Sequence, residues 1–151
     1  MALTSSPVDN LRAGDFPVVT DSVTIVSGAG DLPRGRVLGV ILLGAASLAA
    51  KTGGNTGDGV FTLDATTPVL ANAIPGVYTV RCIAAATNSG TFRVTAPNGC
   101  LLGDVAVAAT FANHIKFSIA DGATDFIEGD GFDITIAAGS GKYTSCDKAA
   151  V

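Results

Sequence analysis

The chain has 151 residues, a formal net charge of −4 and a pI near 4.6, a length that accommodates one domain or two small ones. Its nine Lys and Arg residues are scattered, which excludes the clustered positive surface that nucleic-acid binding requires. Charged residues make up only 15%, against roughly 25% in an average soluble domain, so much of the surface is expected to be covered in an assembly.

Trp is absent, and with 7 Phe and 2 Tyr the core must be completed by Val, Ile, Leu and Ala. Cys82, Cys100 and Cys146 are an odd number without a C-x-x-C pair, which predicts reduced thiols rather than a disulfide framework or a zinc knuckle. No metal and no cofactor is expected. The first residues lack the basic and apolar regions of a signal peptide, so synthesis in a host cytoplasm is expected.

Residues 1–20 are rich in Ser, Pro, Asp and Asn, with apolar side chains dispersed among them. Such a segment cannot form its own core, yet it is too apolar for an inert tail. It reads as an extended arm that adds to a partner's sheet through its backbone and alternate side chains. Leu3, Pro7, Val8, Leu11, Arg12, Phe16, Val18 and Val19 are the candidate contact residues.

Residues 22–26 alternate, with Val23 and Ile25 on one side, and predict a strand. Gly28 and Gly30 form a loop, Pro33 and Gly35 a turn, and residues 36–42 a second strand. Arg34 and Arg36 flank that turn and are candidate subunit contacts. The most apolar run, residues 37–50, contains 14 residues, too few for the about 20 of a membrane span. It is expected to be a buried strand followed by a small-residue linker or helical turn. Residues 21–50 together with 140–151 are thus expected to form a small β scaffold.

The glycine-rich stretch 51–59, KTGGNTGDG, reads as a linker. Beyond it, period-two runs recur at Phe61 and Leu63; Tyr78, Val80 and Cys82; Phe92 and Val94; Val105 and Val107; Ile115, Phe117 and Ile119; and Phe132, Ile134 and Ile136. Turn signals separate them, among them Pro97-Asn98-Gly99, Ala120-Asp121-Gly122 and Gly129-Asp130-Gly131. Residues 60–139 are therefore predicted to be an inserted antiparallel β-sandwich or barrel, and the whole chain all-β.

Candidate chemistry is thin. Any triad or His–metal site must use the sole histidine, His114, which is read as an exposed strand-end residue without a nucleophile or second ligand. Asp121, Asp125, Glu128, Asp130 and Asp133 crowd one hairpin, but their spacing matches neither calcium motif and is read as turn and strand-face carboxylates. Gly28-Ala29-Gly30 lacks the third glycine and helix of a dinucleotide loop, and Gly141-Lys142 lacks the rest of a phosphate loop. The expected protein is not an enzyme.

Residues 20–41, TDSVTIVSGAGDLPRGRVLGVI, followed after the insertion by GKYTSCDKAAV at 141–151, resemble the lambda-type head decoration proteins of tailed bacteriophages. The family's strand and Ser/Gly-rich turn correspond to residues 22–27, its L-x-R-G-x-V-L-G segment to 32–39, and its G-K-Y pattern to 141–147. The resemblance implies a non-enzymatic cement protein, a homotrimer on the outer surface of the virion. Its arm would lie against the major capsid protein and stabilise the expanded head. From the scattered basic residues and the short apolar run, no nucleic-acid and no membrane partner is expected. The alternative is a receptor- or glycan-binding sandwich of a phage tail or fibre.

Overall fold

The computed structural model describes residues 21–146. The chain divides into two compact units, one from Leu42–Ser140 and the other from Met1–Ile41 with Gly141–Val151. In chain order the strands are β1 (Leu38–Val40), β2 (Leu43–Ala50), β3 (Val60–Leu63), β4 (Gly76–Ala86) and β5 (Ser89–Thr95). They continue with β6 (Leu101–Ala106), β7 (Thr110–Asn113), β8 (Ile115–Ala120), β9 (Gly131–Ala138) and β10 (Tyr143–Ser145). Every ladder is antiparallel and the described residues contain no helix, so the fold is all-β.

The larger unit has a five-stranded sheet in the order β2-β9-β4-β5-β6 and a three-stranded sheet in the order β3-β8-β7. Alternation fixes which face is buried, since a one-residue slip would turn every apolar side chain outward. Tyr78, Val80, Phe92, Val94, Ile134 and Ile136 point inward from the large sheet, and Phe61, Phe111, Ile115, Phe117 and Ile119 from the small one. Aromatic contacts link the layers. Phe61 stacks on Phe117 with ring centroids 4.4 Å apart and reaches Phe132 of the facing sheet at 4.9 Å. Phe126, from the loop between β8 and β9, meets Phe92 edge-on at 5.0 Å. Such pairs add about 0.5–1.5 kcal/mol each beyond the burial of their area.

The outer face of the large sheet is polar and its charges are paired. Arg81 on β4 stands directly opposite Arg93 on β5, a like-charge pair that would be unfavourable alone. Arg81 contacts Asp133 at 2.5 Å on one side, and Arg93 meets Asp104 at 3.0 Å on the other. These half-exposed pairs cancel the repulsion more than they add stability.

Two expected boundaries are corrected. Leu43–Ala50, assigned above to the scaffold and partly to a linker or helical turn, is a full strand of the larger unit, paired to β9 from Leu43↔Ala138 to Ala50↔Phe132. Five Ala or Gly residues gave it no readable strand signal; pairing to β9 overrides that weak local propensity. Residues 51–59 are likewise not a free linker. Asp130 accepts the Thr56 and Gly57 amides at 3.0 and 2.9 Å, and a Cβ at Gly57 would come within 2.7 Å of the Phe126 ring. Glycine is required there because the loop lies flat on an aromatic side chain.

Among the described residues the smaller unit has a two-stranded sheet. β1 pairs with β10 through Leu38↔Ser145, Gly39↔Thr144 and Val40↔Tyr143. The expected strand at 22–26 shrinks to one parallel bridge, Ile25↔Tyr143, in which the Val26 amide donates to the Tyr143 carbonyl and the Tyr143 amide to the Thr24 carbonyl, each at 2.9 Å. The residues between, 27–36, follow the predicted loop and turn, closed by the Arg36 amide donating to the Pro33 carbonyl at 3.1 Å.

Candidate interaction surface

None of the described residues of the smaller unit is buried. Val37 is 69% exposed, and Val23 and Val40 are each 40% exposed. The described part of the unit is therefore held by backbone pairing, with apolar side chains such as Val37 exposed to water. Of the two arginines singled out in the sequence, Arg36 turns back on its own unit, its Nε donating to Ser145 Oγ at 2.6 Å. Arg34 is exposed in the turn. The eight arm residues from Leu3 to Val19 lie outside the described residues.

The acidic hairpin resolves into separate structural tasks. Asp130, 2% exposed, accepts the amides of Thr56, Gly57 and Ile127 and so ties the 51–59 loop to the β8–β9 connection. Burial opposes its ionisation, but those three amide bonds outweigh burial and hold its pKa below the ordinary value. Asp133 pairs with Arg81, and Asp125 accepts the Asn88 amide at 2.8 Å. Asp58, from the glycine-rich stretch, accepts the Thr124 amide at 2.8 Å. Asp121 Oδ1 is buried without a hydrogen-bond partner, and Glu128 is exposed. Among the described residues no group of His, Cys, Asp and Glu is arranged to hold a metal.

His114 is half-buried rather than exposed as read from sequence. Its backbone takes a left-handed φ of 55°, and Nδ1 lies 3.3 Å from the Tyr78 hydroxyl. That hydroxyl also accepts the Ile74 amide at 2.9 Å, so the histidine completes the hydrogen bonding of a wholly buried tyrosine. Cys82 is buried, and desolvation, with smaller contributions from Asp130 and Glu128, pushes its thiol pKa up despite a bond to the Ala84 carbonyl. Cys100 and Cys146 are free and exposed.

A shallow groove of about 380 Å³ runs over the outer face of the small sheet, lined by Thr62, Asp64, Thr110, Lys116 and Ser118 among others. Thr62, Ser118 and Thr110 stand opposite one another on three adjacent strands. Beside them Lys116 Nζ meets Asp64 at 2.9 Å. Asp64 is held well below the usual carboxylate range by the Thr67 amide first, then by Lys116 and the Thr66 amide. Sequence reasoning passed over this pair. The signal was present as Asp64 followed by Thr66 and Thr67, an Asx-turn pattern directly after a strand. Phe117 also lines the groove, but like every aromatic side chain of the larger unit it is buried, so the groove has no exposed aromatic platform.

No protein-family model and no curated protein matches the sequence. Two crystal structures of Xanthomonas campestris FlgL, in space groups H3 and C2, are similar to 70% of this chain at 20% identity and a TM-score of 0.43. The chain spans about a third of their length, covering 33% and 32% of the FlgL chains. A likeness of that extent carries no argument about function.

Proposed function

We propose that the chain is a structural capsid decoration protein, binding the major capsid protein lattice of an expanded phage head as a homotrimer. The terminal unit and the arm of residues 1–20 make the contact, and the sandwich is the surface domain. The observation that carries this reading is the terminal unit itself, which has a paired backbone and exposed valines but no buried residue among those described. A unit of that kind gains its apolar burial from a partner.

The resemblance of residues 20–41 and 141–151 to lambda-type decoration proteins supports the choice of the major capsid protein as that partner. The low charged fraction of 15% fits a surface that is largely covered. The physics is mass action: a protein that binds only the expanded lattice stabilises that lattice, and three linked sites add avidity. No catalysis is required, and three of the five hairpin carboxylates, Asp125, Asp130 and Asp133, are engaged in holding loops and strands. The glycan-binding alternative ranks below it, because Phe117, the aromatic residue among those lining the groove on the small sheet, is 1% exposed and offers no face for a sugar to stack on.

Electron cryo-microscopy of the assembled particle tests the proposal. Density for the chain at three-fold positions of the capsid is expected, whereas density confined to the tail would remove it.

A further inference from the structure

Among the described residues β2 is an unpaired edge of the five-stranded sheet, and it is built unlike the other edges of the sandwich. β3 and β7, the edges of the small sheet, are four residues each. β6 carries Asp104, and the Asn113 side-chain amide donates to its Leu102 carbonyl at 3.2 Å. Short length, charge and side-chain cover are the usual devices that keep a sheet edge from pairing with another chain. β2 has eight residues, LGAASLAA, with no charge and no proline. Its one such device is a bulge between Leu43 and Ala46, which leaves Ala46–Ala50 regular.

The hydrogen-bond phase of this edge follows from its inner neighbour. The Lys51 amide donates to the Gly131 carbonyl at 3.0 Å, and Ala49 and Ser47 share that phase opposite Asp133 and Thr135. In an antiparallel ladder alternate residues turn their backbone groups to opposite sides. The amides and carbonyls of Ala46, Leu48 and Ala50 therefore face outward. On the side-chain axis Leu48 lies on the core face, opposite Ile134, yet it is 39% exposed while Ile134 is fully buried.

We propose that β2 pairs antiparallel with β2 of a second copy across a two-fold axis through Leu48, joining two five-stranded sheets edge to edge. In that register Leu48 faces its mate and Ala46 faces Ala50 of the other copy, so all three outward residues exchange both backbone bonds. The two Leu48 side chains cover each other on the core face, and the small Ser47 and Ala49 on the outer face allow close approach. A second copy brings an equally uncharged strand to this uncharged edge. The nearest charge on the strand is Lys51, and the register holds the two lysines about 20 Å apart along the ladder, beyond the screening length of physiological salt. A two-fold axis makes the contact self-complementary and closed, so it stops at two copies. The pairing does not depend on the capsid reading, since it uses the sandwich alone.

Sedimentation velocity of the full chain over a range of concentrations tests the proposal, with Leu48→Lys as the variant. The wild type is expected to show a reversible two-fold increase in mass. Leu48→Lys, which sets two ammonium groups face to face at a site that is already part exposed, is expected to weaken that association by about tenfold or more without changing the circular dichroism spectrum. If the terminal units also trimerise, the variant retains the trimer and loses only the doubling. A second measurement uses Ser47→Cys/Ala49→Cys in a Cys100→Ser/Cys146→Ser background. The 47–49 cross-pairs are non-hydrogen-bonded, with Cα atoms about 4.5 Å apart, and oxidation is expected to give a covalent dimer on a non-reducing gel. A wild type with no doubling at any concentration, an association unchanged by Leu48→Lys, or no covalent dimer on oxidation would each overturn the proposal.

Discussion

The two units of this chain are made from the same backbone pattern and differ in what holds them. In the sandwich, each ladder of the large sheet feeds side chains such as Val80, Phe92 and Ile134 into one aromatic-rich core. In the terminal unit, β1, β10 and the bridge at Ile25 satisfy backbone groups but bury none of the described side chains. Hydrogen bonds exchange water for protein at small net gain, whereas apolar burial supplies most of the driving force. The difference teaches that backbone pairing and core burial are separable, and the proposed function rests on the part of the chain that has the first without the second.

The largest effect is expected from Phe117→Ala. This ring is 1% exposed and contacts both Phe61 and Phe111, so its removal should cost about 3–5 kcal/mol in chemical denaturation. Val37→Ala in the terminal unit should cost within about 0.5 kcal/mol in the same assay, and a large loss there would erase the contrast between the units.

Next in size is Asp130→Ala, which strands three buried or half-buried amides and should cost about 2–3 kcal/mol, read from the same denaturation curves. Acid should act on the same contact more gradually. Asp64, Asp104 and Asp130 all have lowered pKa values in the fold, so the stability they add is complete above the unfolded carboxylate value of about 4 and is lost as pH falls through their lower folded values. The melting temperature of the sandwich should hold steady from neutral pH down to about pH 5 and then fall.

The smallest effect on stability is chemical. Cys100 and Cys146 should react with a thiol reagent in the native protein, while Cys82 should react only on unfolding, as peptide mapping by mass spectrometry would record.

Much of the sandwich is readable from sequence, because Tyr78, Val80 and Cys82 or Ile115, Phe117 and Ile119 alternate over a half-buried sheet. β2 is not, since Ala45, Ala46, Ala49 and Ala50 carry no period and acquire their strand only from pairing with β9. The 51–59 loop misleads in another way. Its glycines look like a flexible spacer but serve close approach to Phe126, and the anchor, Asp130, is more than seventy residues away in sequence. The turn at Arg34 and Arg36 could be placed from Pro33 and Gly35, whereas the bond from Arg36 to Ser145 joins opposite ends of the chain and has no local signal. His114 fails for the same reason, since its partner Tyr78 lies on another sheet.

Hydrogen exchange of the chain, free and mixed with expanded phage-head shells, tests most directly the proposal that the terminal unit, which has no buried residue among those described, is the binding element. In the free protein the amides of Val26, Ile41, Tyr143 and Cys146, all in backbone bonds of that unit, should exchange faster than those of the sandwich core. On the shells strong new protection is expected at residues 24–41 and 141–146, with the core of the sandwich unchanged. New protection confined to the sandwich, with the terminal unit still exchanging freely, would contradict the proposal.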